Sequence, residues 1–284
     1  MTSGTIKILV IDGYPRDDRE NLANCGMTLA GDLYASMLSD LCPGVHCDIV
    51  YPSDPNAALQ RGIENYHGIA WTGCSLTIHG NGDERVRRHL DLARAAYAAG
   101  VPQYGSCWGI QIAAVAAGGT VAAHPGGREM GIGRKITLSA DGRDHPLFEG
   151  KPDTFDGFVS HFDVVTHLPP GGQALAGNAF TRVQAMSVEH DKGTFWGLQY
   201  HPEYDLREMA RLIHCRRQAL TQEGFFKDEA DARRMVAQFE ALHADPTDKA
   251  LAWQLGVESD LLQDTVRRME PRNWLSRLVL PRAA

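Results

Sequence analysis

The chain has 284 residues, of which 43% are hydrophobic and 22% are charged, as is typical of a globular protein with a sizeable core. Its 28 Lys and Arg residues against 35 Asp and Glu residues give a net charge of −7, which argues against nucleic-acid binding, because nucleic-acid-binding proteins carry basic surfaces. The sequence has no apolar run of about 18 residues and no N-terminal signal-peptide pattern, so we predict no membrane association.

The cysteines form no Cys-x-x-Cys pair, and the chain is too long for a small disulfide-stabilised scaffold. We therefore expect free thiols and a cytoplasmic protein. Cys42, His46 and Cys47 are close in sequence, but a second pair of ligands is missing, so we expect a turn there and no metal site. The six cysteines are Cys25, Cys42, Cys47, Cys74, Cys107 and Cys215.

Strand-like and helix-like segments alternate over the first 120 residues. Short, largely apolar and β-branched runs, such as residues 5–11 and Gly68–Trp71, are typical of strands buried on both faces of a parallel sheet. Further runs of this kind cover residues 45–51 and 101–104, and the apolar spacing over Glu84–Ala99 predicts a helix. This alternation predicts an α/β fold with a doubly wound, mostly parallel sheet.

The pattern changes in the second half of the chain. Short β-like runs separated by turn residues between positions 131 and 198 predict a small antiparallel addition to the sheet. A helix follows over residues 206–220, and charged, amphipathic segments then continue to the C-terminus. We predict one domain over residues 1–220 and a helical extension over residues 221–284, whose Trp253 and Trp274 pack against the first domain.

The segment around Cys107 is the strongest chemical signal. Gly105 and Gly109 flank the cysteine. A buried strand is predicted before this turn, and a helix of small residues is predicted to begin at Ile110. A Gly-x-nucleophile-x-Gly turn of this kind presents the nucleophile at a helix N-terminus, where exposed N–H groups favour a thiolate. The backbone N–H of Trp108 is placed to stabilise an oxyanion. A buried structural cysteine is the alternative interpretation.

A cysteine nucleophile needs a base and a group that orients the base. His201 and Glu203 follow a predicted strand and are two residues apart, so in an extended segment their side chains lie on the same side. An ordinary histidine at a strand end beside a surface glutamate is the alternative. Together with Cys107, the pair favours a Cys-His-Glu triad.

These motifs resemble those of the class I glutamine amidotransferase family, over roughly residues 6–213. Within the family, the chain resembles free-standing proteins that are similar to the amidotransferase domain of GMP synthase. The resemblance implies a flavodoxin-like fold and cysteine-dependent release of ammonia and glutamate from glutamine through a γ-glutamyl thioester on Cys107. It implies no cofactor and no metal.

The resemblance also implies further site residues. The segment Thr72 to Ser75 resembles the family's oxyanion loop, so Gly73 and Cys74 are expected to stabilise the oxyanion with Trp108. Many members have Gly-Gly-Pro where this chain has Gly73-Cys74-Ser75. Apart from the resemblance, residues 75–83 are polar and contain Gly80 and Gly82, and this composition indicates a flap over the pocket. The residues expected to bind substrate are Gln111, Ser160, His161 and Phe162.

Several functions stay open on these residues. The substrate is either glutamine, with ammonia passed to a partner synthase chain, or another γ-glutamyl compound, with the enzyme acting as a γ-glutamyl hydrolase or peptidase. A non-catalytic regulatory module is disfavoured by the intact triad residues. An α/β-hydrolase is disfavoured because its acid precedes its histidine in sequence, whereas here Glu203 follows His201. The C-terminal helices pack either on the body or in a homodimer interface.

Overall fold

A nine-stranded mixed sheet forms the centre of the computed structural model, which describes residues 5–79 and 82–283. The strands are β1 (Lys7–Ile11), β2 (His46–Val50), β3 (Gly68–Trp71), β4 (Gln103–Ser106), β5 (Thr120–Ala123), β6 (Glu129–Leu138), β7 (Thr154–His161), β8 (Asp163–His167), β9 (Gly172–Gly177), β10 (Ala185–His190) and β11 (Gly193–Leu198). The order in the sheet is β2-β1-β3-β4-β11-β10-β9-β6-β7, and β5 pairs with β8 separately.

The first five strands in this order are parallel, and the remaining four are antiparallel to their neighbours. The predicted α/β class, with a mostly parallel sheet and an antiparallel addition, is confirmed. The last parallel strand, β11, pairs with β4 on one side and β10 on the other, so the antiparallel strands extend the same sheet.

The helices surround this sheet and continue to the end of the described chain. They are α1 (Arg16–Asn24), α2 (Ala30–Leu41), α3 (Glu84–Ala99), α4 (Trp108–Ala116), α5 (Ala140–Asp144), α6 (Leu206–Gln222), α7 (Glu229–Ala244), α8 (Lys249–Leu255), α9 (Ser259–Leu262), α10 (Asp264–Arg267), α11 (Met269–Trp274) and α12 (Leu280–Ala283). Helix α3 has the predicted bounds because Asp83 caps its first turn and Gly100 ends it with φ of 66°. Within the described ranges, no helix is both long and apolar enough to cross a bilayer.

Alternate residues of β1 contribute to cores on opposite faces of the sheet. Leu9 and Ile11 lie in one hydrophobic cluster, whereas Ile8 and Val10 lie in another. This burial on both faces explains why the strand is a continuous apolar run rather than an alternating one.

The C-terminal segment packs against the rest of the chain. Trp274 is fully buried in a cluster with residues of β1, and a Cβ on Gly68 would lie only 2.8 Å from its indole ring. The expectation for Trp274 is thus confirmed. It is wrong for Trp253, which is 87% exposed on the short helix α8.

The expectation that all the cysteines are free thiols is also wrong. A disulfide joins Cys25, at the C-terminal end of α1, to Cys215 in α6. The two cysteines are 190 residues apart in sequence. Pairings between residues so distant in sequence depend on how α1 and α6 pack together, and this packing cannot be deduced from cysteine spacing.

Candidate active site

Three loops converge where the parallel strands end. Strand β3 leads into Gly73, β4 leads into Cys107, and β11 leads towards His201. These strands are neighbours in the order β3-β4-β11 and are parallel. Their carboxyl ends therefore meet at one edge of the sheet, the usual place for a binding site in an open α/β fold.

Cys107 occupies a tight turn between β4 and α4. Its φ of 51° and ψ of −96° lie outside the regions that L residues favour, as expected of a strained residue at a functional turn. Its backbone N–H donates to the carbonyl of Leu198 at 2.8 Å, which ties the turn to β11. A Cβ on Gly105 or Gly109 would lie 2.9 or 2.8 Å from Cβ of Trp71. Both glycines are therefore needed for the close approach of the turn to β3.

The imidazole of His201 is held by Glu203. Nδ1 of His201 lies 2.7 Å from Oε1 of Glu203, and both side chains are buried. The same carboxylate oxygen accepts a hydrogen bond of 2.9 Å from the hydroxyl of Ser106, whose oxygen lies 2.6 Å from the hydroxyl of Tyr34. Glu203 thus fixes the ring orientation, and a network of buried hydroxyl groups fixes Glu203.

The surroundings of His201 favour its protonated form. Burial opposes a positive charge, but the charges of Glu203 and Cys107 and hydrogen bonds to both outweigh it and raise the pKa of His201 to about 10. The ring of Tyr204 stacks on the imidazole with centroids 4.2 Å apart and an interplanar angle of 3°. His201 is therefore an imidazolium that is held beside Cys107.

The residues expected to stabilise an oxyanion lie beside this pair. A Cβ on Gly73 would be 3.2 Å from Cε1 of His201 and 4.0 Å from Cβ of Cys107. The backbone N–H groups of Gly73, Cys74 and Trp108 donate no hydrogen bond to any residue in the described part of the chain. They are therefore free to donate to a substrate.

Cys74 holds the loop that follows β3 through its side chain. Its thiol donates to the carbonyl of Gly13 at 3.0 Å and accepts the N–H of Leu76 at 3.3 Å. Burial raises the pKa of this thiol strongly, so it stays protonated. The departure from Gly-Gly-Pro is thus accommodated, because the cysteine side chain stabilises the loop by these two contacts.

A cavity of about 380 Å³ lies above Cys107. The four residues expected to bind substrate all line it. Gln111 is oriented by a 2.9 Å hydrogen bond from its amide to the carbonyl of Asp163. The cavity is lined by Cys74, Ser75, Leu76, Thr77, Cys107, Gln111, Arg128, Ser160, His161, Phe162, Asp163 and Arg216.

His161 is positioned by a buried carboxylate. Its Nε2 lies 3.0 Å from Oε2 of Glu129, which also accepts hydrogen bonds from Thr181 and Gln184. Burial acts to raise the pKa of Glu129, but the bonds from His161, Asn178 and Thr181 lower it overall. Glu129 is therefore an ionised support that holds His161 at the wall of the cavity.

The predicted flap contacts the opposite wall. The hydroxyl of Thr77 donates to Asp163 at 2.6 Å, and Nε2 of His79 lies 2.8 Å from the other oxygen of that carboxylate. His79, an exposed loop residue, is therefore paired with Asp163. Gly80, which belongs to the predicted flap, lies outside the described residues.

Two arginines lie in the cavity wall, and Arg216 is the one that the sequence analysis missed. Arg128 belongs to a loop, and Arg216 lies on α6, fifteen residues after His201. Arg216 follows Met209 and Ile213 at helical spacing, and both of these are buried. A basic residue on the apolar stripe of a helix is the signal that could have identified it.

Comparison with known proteins shows which proteins this chain resembles. The family model described as glutamine amidotransferase class-I matches residues 44–215, which include Cys107, His201 and Glu203. A γ-glutamyl-L-1-hydroxyisopropylamide hydrolase from Pseudomonas sp is 30% identical over 98% of this chain and 95% of its own length. A glutamine-hydrolysing GMP synthase from Clostridium novyi is 30% identical over 57% of this chain, which spans 28% of that relative. The crystal structure of a glutamine amidotransferase from Thermotoga maritima has a TM-score of 0.67 at 18% identity, covering 97% of this chain and 99% of the other.

Proposed function

The chain belongs to the class I glutamine amidotransferase family, and from this premise we propose that it hydrolyses a γ-glutamyl amide to glutamate and an amine. Cys107 is the nucleophile, His201 the acid and base, and Glu203 the residue that orients His201. The observation that carries this proposal is the 2.7 Å contact between His201 and Glu203, beside a strained cysteine in the wall of a cavity.

In the first half-reaction, the sulfur of Cys107 attacks the carbonyl carbon of the γ-amide. The tetrahedral oxyanion accepts hydrogen bonds from the free backbone N–H groups of Trp108 and of the loop at Gly73 and Cys74. His201 gives its proton to the nitrogen, the C–N bond breaks, and the amine leaves. Cys107 then carries the γ-glutamyl group as a thioester.

In the second half-reaction, His201 is neutral and accepts a proton from water, whose oxygen attacks the thioester carbon. The C–S bond breaks, glutamate is released, and Cys107 and His201 regain their starting state. Glu203 stabilises the imidazolium that donates its proton in the first half-reaction and forms again in the second, which is the role of the acid in triads of this type.

A substituted amine is the favoured leaving group. The relative similar over nearly the whole chain is a hydrolase of a γ-glutamyl hydroxyalkylamide, whereas the match to GMP synthase spans only 28% of that protein. Glutamine, with ammonia delivered to a partner synthase, is the second candidate. Family membership favours it, and the same chemistry serves both.

The test is to offer the purified protein glutamine and a panel of γ-glutamyl amides and to measure ammonia, free amine and glutamate separately. We expect glutamate and amine from the substituted amides, complete loss of turnover in Cys107→Ala, and normal turnover in Cys42→Ala, a free cysteine in the loop before β2. No glutamate from any compound, or full activity in folded Cys107→Ala, would contradict the proposal.

A further inference from the structure

Arg216 is a cation in the substrate cavity without a counter-charge. Its side chain, half-buried on α6, donates one hydrogen bond of 2.7 Å from Nη1 to the hydroxyl of Ser160. Across the described residues, no carboxylate lies within 4.0 Å of it, although the other arginines of the helix are all paired. Those pairs are Arg207 with Glu208, Arg211 with Glu240 and Arg217 with Glu229.

The remaining charged groups of the cavity wall are already paired. Arg128 donates to Glu223 at 2.8 Å and lies over the ring of Phe162, 3.8 Å from its centroid. Asp163 is held by Thr77 and His79. The guanidinium of Arg216 thus lines the cavity with donors that no described carboxylate uses, and its fork of donors matches a carboxylate.

Ser160 lies between the guanidinium and the nucleophile and contacts both. The sulfur of Cys107 is 3.8 Å from the carbonyl oxygen of Ser160, and the hydroxyl of that same serine accepts from Arg216. In a γ-glutamyl amide, the α-carboxylate is separated from the attacked carbonyl by two methylenes and the α-carbon. A carboxylate on the leaving amine, as in a γ-glutamyl peptide, lies at a similar short distance on the other side.

From the proposed function we infer that Arg216 is the specificity-determining residue that binds a carboxylate of the γ-glutamyl substrate. The wall residue Ser160 orients the guanidinium, and the substrate carboxylate supplies the missing counter-charge. The α-carboxylate is the one that every γ-glutamyl compound carries, and the leaving-group carboxylate is the alternative source.

Three compounds separate these sources. γ-Glutamylglycinamide has the α-carboxylate and a neutral leaving group. Its α-carboxamide analogue has no carboxylate, and γ-glutamylglycine has one on the α-carbon and one on the leaving group. For each compound, kcat/KM is measured with the unmodified protein, Arg216→Gln, Arg216→Lys and the control Arg217→Gln. Arg217 is next to Arg216 but pairs with Glu229.

We expect Arg216→Gln to lower the preference for γ-glutamylglycinamide over its α-carboxamide analogue by roughly 10- to 100-fold, the effect of one charge-assisted contact. Arg216→Lys keeps the positive charge but loses the paired donors of the guanidinium, so it should retain part of this preference. Arg217→Gln should retain the whole preference. If Arg216→Gln loses only the preference for γ-glutamylglycine over γ-glutamylglycinamide, carboxylate binding is supported and is assigned to the leaving group. Both preferences unchanged in Arg216→Gln would overturn the inference.

Binding to Cys107→Ala, measured by calorimetry with γ-glutamylglycinamide and its α-carboxamide analogue, gives a readout independent of turnover. Arg216→Gln in that background should remove the difference in affinity between the two compounds, and an unchanged difference would count against Arg216. If the unmodified protein hydrolyses none of the three compounds while this binding difference depends on Arg216, the proposed function fails and carboxylate recognition stands.

Discussion

Replacing Glu203 by glutamine tests how the charge of this residue controls His201. The oxygen of glutamine can take the place of Oε1 and still accept from His201 and Ser106. The other oxygen, Oε2, has no hydrogen-bond partner among the described residues, so the amide nitrogen that replaces it breaks no existing hydrogen bond. The substitution therefore preserves the geometry and removes the charge.

The expected size of the effect comes from the hydrogen bond that loses its charge. A bond to an ionised group contributes about 1.5–3 kcal/mol and a neutral one about 0.5–1.5 kcal/mol, so the imidazolium loses roughly 1–2 kcal/mol. That loss lowers kcat/KM by about 5- to 30-fold and the pKa of His201 by about one unit. Because the pKa of His201 lies near 10 in the native protein, the alkaline limb of the pH profile should move to lower pH.

The assay is kcat/KM for a γ-glutamyl amide as a function of pH, with Ser106→Ala as the matched control. Ser106→Ala removes one hydrogen bond to Glu203 but leaves its charge, so its alkaline limb should stay in place. His201→Ala should lower kcat further than Glu203→Gln, because His201 transfers protons in both half-reactions. An alkaline limb that does not move in folded Glu203→Gln would refute the assigned role of Glu203.

Three further predictions concern folding and the nucleophile. Gly109→Ala should lower the free energy of unfolding by about 1–3 kcal/mol in urea titrations, because its Cβ would lie 2.8 Å from Cβ of Trp71; an unchanged midpoint contradicts this. Trp274→Ala should cost about 3–5 kcal/mol, whereas Trp253→Ala, at an 87% exposed position, should cost at most about 0.5 kcal/mol; equal losses would show that the C-terminal packing is misassigned. Cys107→Ala should keep the circular dichroism spectrum and thermal midpoint of the unmodified protein while losing turnover, and a destabilised variant would indicate a structural cysteine.

Local patterns predicted the elements that hold the site. Strand Gly68–Trp71 and helix Glu84–Ala99 have the bounds expected from apolar spacing and a glycine stop. The turn at Cys107 is recognisable because its glycines, nucleophile and helix are consecutive in sequence. The contact between His201 and Glu203 was expected from an extended segment, but residues 202 and 203 form a turn.

Contacts between segments far apart in sequence could not be predicted in the same way. The Cys25–Cys215 disulfide and the hydrogen bond between Arg216 and Ser160 both depend on where α6 packs. Trp253 illustrates a further limit, because a large apolar residue on a short helix predicts burial only if that face meets the core. Tertiary packing decided these cases, and a local pattern does not contain that information.

The central claim, that Cys107 carries the γ-glutamyl group during turnover, is tested most directly by trapping the intermediate. The protein is mixed with a γ-glutamyl amide, quenched in acid within one turnover, digested and analysed by mass spectrometry. We predict one added γ-glutamyl group on the peptide that contains Cys107 and none on the peptide that contains Cys74, whose thiol stays protonated in its hydrogen-bonded site. Label on Cys74, or turnover with no covalent adduct on Cys107, would contradict the account.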